Sequence, residues 1–274
     1  MRLLRRKALA IRSLMISTYT TCYNLLSHGF AGWDKNLKNS CQFADEVVIC
    51  LNTSDDGTEE AIRDALWEYK NWKIAPANFS KLDPLFDGRL KNLALQNCSG
   101  EFKIQLDADE YIPLWQKPLW ENTLFQLKFS GAKVLAVPSV DLYKSLDGYK
   151  AVNHKTYAHI GQAWRGPTGG ALKPGYFINT QFSDGTELID ERFQSYGPTI
   201  ASGPCDIKQL ESGEQIFVVH EGYLNVDERI QRTKTFWGQH WLQESNGTLP
   251  AHKIHHDEST FSHYEYKKHN LRLE

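Results

Sequence analysis

Within Glu46-Val-Val-Ile-Cys-Leu51 the apolar residues run unbroken between turn-forming segments, the pattern of a strand buried on both faces. Residues 14–19, 72–75 and 102–106 read as further strands. Between them, residues 58–69 read as a helix with Ile62, Leu66 and Tyr69 on one face, and residues 89–96 as another, closed by Cys98-Ser-Gly100. Residues 25–41 read as an irregular helix interrupted at Gly29 and Gly32. Strands alternating with helices predict an α/β fold: a mostly parallel central sheet flanked by helices, taking a nucleotide at the carboxyl ends of its strands.

After Pro113 the pattern changes. Residues 115–129 read as a helix and 133–138 as a strand. From 141 to 213 Gly, Tyr and Pro are frequent, which predicts loops and short antiparallel strands. Residues 216–219 form a last strand ending at His220, followed by a helix over about 227–242. The tail 252–274 is rich in His and charge and reads as solvated; His252, His255 and His256 lack the spacing and the cysteines of a metal site.

Composition narrows the function classes. With 31 Lys and Arg against 33 Asp and Glu, the net charge of −2 supplies no bulk attraction to nucleic acid or anionic membrane. The 41% hydrophobic content, with eight Trp, suffices for a sizeable core. Five cysteines without a C-x-x-C pair suggest neither a disulfide framework nor a zinc ribbon, and a reducing, cytosolic compartment is expected. No run approaches the roughly 20 apolar residues of a spanning helix. Residues 1–12 are basic and apolar together, too interrupted for a signal peptide; they are expected to dock on the body or stay unordered, with a peripheral contact to anionic lipid as the alternative.

Chemistry concentrates in Phe102-Lys-Ile-Gln-Leu-Asp107-Ala-Asp109-Glu110. In an extended chain, side chains two apart share a face, so Asp107 and Asp109 are expected to project together from the strand end. Two carboxylates there suit Mg²⁺ or Mn²⁺ with positions left open for a diphosphate. The alternative is an Asp-rich turn capping a strand.

The same motif stands in an ordered set: Phe43-Ala-Asp-Glu-Val-Val-Ile49, Asn52-Thr-Ser-Asp-Asp-Gly-Thr58, Arg89-Leu-Lys-Asn-Leu-Ala94, Ser99-Gly-Glu-Phe102, then the Asp pair. This order and spacing resemble the family-2 nucleotide-sugar glycosyltransferases of the GT-A fold, in particular the branch of lipopolysaccharide-core glucosyltransferases and its phage-encoded relatives. The resemblance spans residues 13–115 and returns weakly at Val219-His220-Glu-Gly-Tyr223. It implies a nucleotide-sugar-binding half over 13–115, an acceptor-side half of the same domain over 116–245, and a polar tail over 246–274.

By the same resemblance Asp109 holds a Mn²⁺ or Mg²⁺ ion and Asp107 contacts the ribose or the metal and its water shell. His220 is a further metal ligand, or alternatively a satisfied, partly buried histidine. Lys91, next to Asn92, and Arg89 place positive charge beside the diphosphate, the alternative being a solvated helix face. Thr18, Tyr19 and Asn52 lie beside the base, where Leu51 and Asn52 replace the family's carboxylates. Asp56-Gly57-Thr58 is expected to be architectural, a tight turn and a helix cap. Glu110 also matches the pattern, with a carboxylate bonding the following turn as its other reading. The catalytic base is sought among Asp141, Asp184, Glu187, Asp190 and Glu191, with Asp190 and Glu191 favoured.

The implied activity is inverting transfer of a hexose from a nucleotide diphosphate sugar, with UDP as the nucleotide, to a cell-surface or lipid-linked glycan. Hydroxymethylated DNA is the other acceptor. For it, residues 144–173 offer Lys150, His154, Lys155, His159 and Arg165 among Tyr143, Tyr149, Tyr157 and Trp164 as a basic, aromatic groove. A nucleotidyltransferase is disfavoured, because residues 17–24 hold no Gly or Lys. A binding module with a decayed site is kept open by Leu51.

Overall fold

The computed structural model describes residues 14–30, 32–81, 86–130, 134–137, 139–144, 150–153, 176–179, 199–201, 207–223, 266–267 and 272. Its core is a sheet whose strands β1 (Ile16–Cys22), β2 (Glu46–Asn52), β3 (Trp72–Ala77) and β4 (Phe102–Gln105) are joined through helices α1 (Trp33–Phe43), α2 (Thr58–Ala65) and α3 (Phe86–Asn97). The strand order is β4-β1-β2-β3 and every pairing is parallel, as the alternation predicts. The chain steps outward from β1 to β3 and then crosses back to place β4 on the other side of β1. That reversal is a topological switch point, where open α/β sheets leave a crevice at the strand carboxyl ends.

Period-two alternation explains the layering. Val47, Ile49 and Leu51 face one way, packing with Leu37, Cys41 and Phe43 of α1, Ile62 of α2, and Trp120, Leu124 and Leu127 of α4 (Lys117–Ser130). Val48 and Cys50 face the other way, against Phe86, Leu90 and Ala94 of α3. Pro76 lacks an N–H and sits in β3, the edge strand, where that loss leaves no ladder bond unmade.

The remaining strands are β5 (Glu110–Tyr111), β6 (Val134–Ala136), β7 (Ser139–Lys144), β8 (Lys150–Asn153), β9 (Tyr176–Asn179), β10 (Thr199–Ala201), β11 (Val218–Tyr223) and β12 (Tyr266–Lys267), with one more helix, α5 (Ile207–Ser212). A second sheet runs β12-β8-β7-β11-β5. Its apolar face gathers Tyr111, Val140, Leu142, Leu210, Phe217 and Val219.

Several expectations change here. β9 and β10 join the main sheet in parallel, where short antiparallel strands were expected, and the strand expected at 133–138 appears as β6 between them. β1 does not stop at residue 19: pairing with β2 carries it to Cys22, opposite Leu51. The helix expected from residue 25 begins at Trp33, because Gly29 (φ 64°) and Gly32 (φ 81°) take left-handed backbone. The tail is not wholly solvated. Tyr266 and Lys267 pair with β8, and the Arg272 carbonyl accepts from the Trp115 indole at 2.9 Å while its guanidinium lies over that ring. The helix expected over 227–242 and residues 1–12 lie outside the described residues.

The amino end of the main sheet is closed by one carboxylate. Glu46 accepts from Lys73 Nζ (2.7 Å), Ser99 N (2.7 Å), Ser99 Oγ (2.8 Å) and the Ser17 hydroxyl, whose oxygen in turn accepts from Gly100 N (2.8 Å). Burial pushes the Glu46 carboxyl up, but these donors outweigh it and hold it down at about 2.

Candidate functional site

β4 ends at Gln105, and Asp107 to Glu110 form a turn rather than an extended strand. Glu110 N donates to the Asp107 carbonyl at 2.9 Å, and Asp107 N donates to Glu110 Oε2 at 2.9 Å. This reciprocal closure corrects the expectation that Asp107 and Asp109 project side by side. A turn aims them apart. Asp107 Oδ1 faces Lys91 Nζ of α3 at 3.7 Å, whereas Asp109 Oδ2 faces His220 Nε2 of β11 at 3.6 Å.

Two helices and the second sheet hold the turn. From one face of the main sheet α1 reaches it twice: Asn36 Nδ2 donates to the Ala108 carbonyl (3.2 Å), and Asn39 Oδ1 accepts from Ile112 N (3.3 Å). From the other face α3 brings Lys91, whose side chain is only 6% exposed. β11 pairs antiparallel with β5, setting His220 opposite Glu110, and Glu221 N donates to the Asp109 carbonyl at 2.8 Å. Asp107, Asp109, Glu110, Lys91 and His220 thus meet at the switch point beside the carboxyl ends of β4 and β1.

The electrostatics are crowded. Glu110 is 3% exposed; burial first, then the Asp107 and Asp109 charges, drive its carboxyl well above the usual carboxylate range, with His220 opposing. Such a carboxyl keeps its proton at neutral pH, while its Oε2 accepts from Asp107 N. The Asp109 carboxylate and the His220 imidazole, both largely buried and converging, form a hard oxygen and nitrogen donor set that fits a divalent cation. Among the described residues no three Asp, Glu, His or Cys side chains gather closely enough to hold an ion alone, so oxygens from a bound diphosphate would complete the shell.

The base-side residues behave differently. Thr18 lies mid-strand with its hydroxyl sealed in the interior, and Tyr19 belongs to the core under α3. Neither ends β1, because the strand continues three residues further than expected. Asn52 is 3% exposed and engages Phe79 with both ends of its amide, accepting from the backbone N (2.8 Å) and donating to the carbonyl (3.1 Å). Its side chain extends the β2–β3 ladder instead of offering a free edge. Asp56-Gly57-Thr58 forms a turn and helix start: Asp56 Oδ1 accepts from Thr58 N (3.1 Å) and Thr58 Oγ1 (2.6 Å), and Gly57 has φ 83°. Asp56 Oδ2 and Thr58 Oγ1 also tie down Ser27 and Leu25 of the loop after β1. Beside that loop Tyr23 packs edge-on against Phe86 and tilted against His28.

Arg89 is exposed on α3, two residues before Lys91 turns inward. Of the acids considered for the base, Asp141 alone is described, on β7 in register with His220; Asp184, Glu187, Asp190 and Glu191 lie outside the described residues. Sequence reasoning missed Asn36, Asn39 and Glu221. Asn36 is 1% exposed, one residue before the apolar Leu37, and a polar residue inside a helix's buried stripe was the available signal.

No family model and no curated protein sequence matches the chain. Solved structures that are similar in part include three of one protein. The S. aureus TarS crystal structure shares 20% identity over 47% of this chain, with a TM-score of 0.38. TarS 1-349 gives the same identity, coverage and score. TarS 1-349 in complex with UDP shares 16% identity over 88% of this chain, with a TM-score of 0.40. The chain spans 22%, 36% and 68% of those chains respectively. Likeness at these scores carries no argument about activity.

Proposed function

We propose that the chain is a metal-dependent, inverting glycosyltransferase that moves a hexose from a nucleotide diphosphate sugar to a hydroxyl acceptor. The observation that carries this reading is the meeting of Asp109, His220, Asp107 and Lys91 at the switch point of a parallel sheet. Asp109 and His220 would hold Mn²⁺ or Mg²⁺, and Asp107 faces Lys91 at 3.7 Å. A bound ion supplies charge that neutralises the departing nucleoside diphosphate. Lys91, nearly buried, adds a fixed positive charge in a low-dielectric setting, where it acts more strongly than in water. Protonated Glu110 keeps one carboxyl of the cluster neutral and fixes the turn. The resemblance in the motif set assigns UDP as the nucleotide and a cell-surface or lipid-linked glycan as the acceptor, with hydroxymethylated DNA as the other candidate. Asp190 and Glu191 are the proposed source of the base. A cytoplasmic location completes the proposal, with peripheral membrane contact through residues 1–12 as the alternative; among the described residues no helix is long and apolar enough to cross a membrane.

The engagement of Asn52 with Phe79 favours one rival, a binding module that holds a nucleotide without turnover. Thermal-shift titrations with UDP, GDP, CDP and dTDP, with and without Mn²⁺, on wild type and Asp109→Asn distinguish them when paired with UDP-hexose hydrolysis. A Mn²⁺-dependent shift with one nucleotide, lost in the variant, together with slow hydrolysis supports the transferase. The same shift without any hydrolysis or transfer supports the binding module. No shift with any nucleotide sinks both.

A further inference from the structure

We propose that Glu221 is a positioning residue for the Asp109–His220 pair, an inference that rests on the metal-site reading above. β11 departs from its regular register with β7 between His220 and Tyr223. Irregularities of this kind re-aim side chains beside functional sites, and they need an anchor to hold their shape. Glu221 has the geometry of that anchor. Its backbone N–H donates to the Asp109 carbonyl at 2.8 Å, joining the irregular strand directly to the Asp-bearing turn. Its side chain is 6% exposed and lies at the start of α1, where Oε2 is 3.2 Å from the position a Cβ on Gly32 would take.

The surroundings favour a carboxylate there. α1 presents the positive end of its dipole at Gly32, and Lys35 Nζ reaches Glu221 Oε1 at 3.5 Å while lying over the Tyr111 ring at 4.8 Å. Tyr111 belongs to β5, the strand paired with β11, so Lys35 bridges the two strands that carry Glu110 and His220. Gly32 takes φ 81° and leaves the space the carboxylate fills; a side chain there is strained in backbone and crowded against Glu221 at once. Glu221 fastens one side of the turn while Asn36 and Asn39 of the same helix fasten the other, so α1 sets the distance between Asp109 and His220 from both sides.

The test is Mn²⁺ binding by the full chain in the presence of UDP, followed by the loss of the free-ion paramagnetic signal, with circular dichroism as the check on folding. Glu221→Ala is expected to fold and to weaken Mn²⁺ binding about 10-fold or more, the range seen when groups that orient metal ligands are removed. Glu221→Gln, which keeps the length and one oxygen, is expected to restore most of it. Asp109→Asn is the control for the parent reading. If wild type and Asp109→Asn bind alike, or wild type binds no Mn²⁺, the metal site itself is wrong. If Asp109→Asn loses binding but Glu221→Ala binds as wild type does, only the role of Glu221 is overturned. Should Glu221→Ala not fold, Glu221→Asp answers the same question, because it keeps the charge and shortens the reach. A folded Glu221→Asp with unchanged Mn²⁺ affinity overturns the proposal.

Discussion

The two ends of the main sheet treat their carboxylates in opposite ways. At the amino end Glu46 accepts hydrogen bonds from Lys73, Ser17 and Ser99, and its carboxyl is held at about 2. At the carboxyl end Glu110 is buried beside Asp107 and Asp109, and its carboxyl rises. One end concentrates donors around one charge, which stabilises the fold. The other gathers three carboxyls around Lys91 and His220, an arrangement that disfavours ionisation of Glu110 and that a bound cation would relieve. A carboxyl raised by burial beside like charges is a candidate for chemistry, whereas one lowered by saturating hydrogen bonds acts as a structural clasp.

If that division is right, substitutions at the carboxyl end change chemistry and those at the amino end change stability. The largest effect is expected from Asp109→Asn, which should lower UDP-hexose turnover by about 100-fold or more while leaving the thermal midpoint in EDTA within a few degrees of wild type. A variant that unfolds, or that keeps full turnover, breaks the comparison at its functional end. Next is Gly100→Ala. A Cβ there would lie 2.5 Å from Ser17 Oγ, 2.7 Å from Ser17 N and 2.9 Å from the Met15 carbonyl. Two of these are backbone atoms, in β1 and in the residue just before it, and cannot swing aside, so urea unfolding should show a loss of about 2–3 kcal/mol.

Much of this was legible in the sequence, for identifiable reasons. The apolar run of β2 and the helical periodicity of α2 each report a local pattern that burial enforces, and both elements appear within a few residues of expectation. The Asp pair was singled out by two carboxylates at the end of an alternating strand and Lys91 by the motif resemblance, and the structure sets Asp107 and Lys91 3.7 Å apart. What escaped depends on tertiary pairing. Thr18 and Tyr19 looked like the end of β1 because polar residues follow them, yet pairing with β2 extends the strand to Cys22 and buries Thr20. Asn52 looked like a base reader because an amide both donates and accepts; nothing local announces that Phe79, 27 residues on, engages both of its groups. The turn at Asp107–Glu110 was only the alternative reading, because alternation continues through Leu106 while the closing bonds come from Glu110 itself.

The last two tests use one substitution at both ends, so that only the surroundings differ. Glu46→Gln removes a charge held by several donors. Its folded value lies below the ordinary 4.5, so its stabilisation is present above that pH and is lost as pH falls toward about 2. The Glu46 side chain is 12% exposed but Lys73 is 46% exposed, which screens part of the effect, and about 2 kcal/mol is expected at pH 7. The gap between wild type and Glu46→Gln in urea melts should narrow from pH 5 downward and close near pH 2; a gap independent of pH would mean that the amide fails by shape and not by charge. Glu110→Gln reverses the expectation. It keeps an oxygen to accept from Asp107 N and removes a buried carboxyl from beside Asp107 and Asp109, so in EDTA the folded chain should be unchanged or stabilised by about 1 kcal/mol. A loss of stability as large as that of Glu46→Gln would show that both ends are structural clasps, leaving the carboxyl end with no distinctive cost to explain.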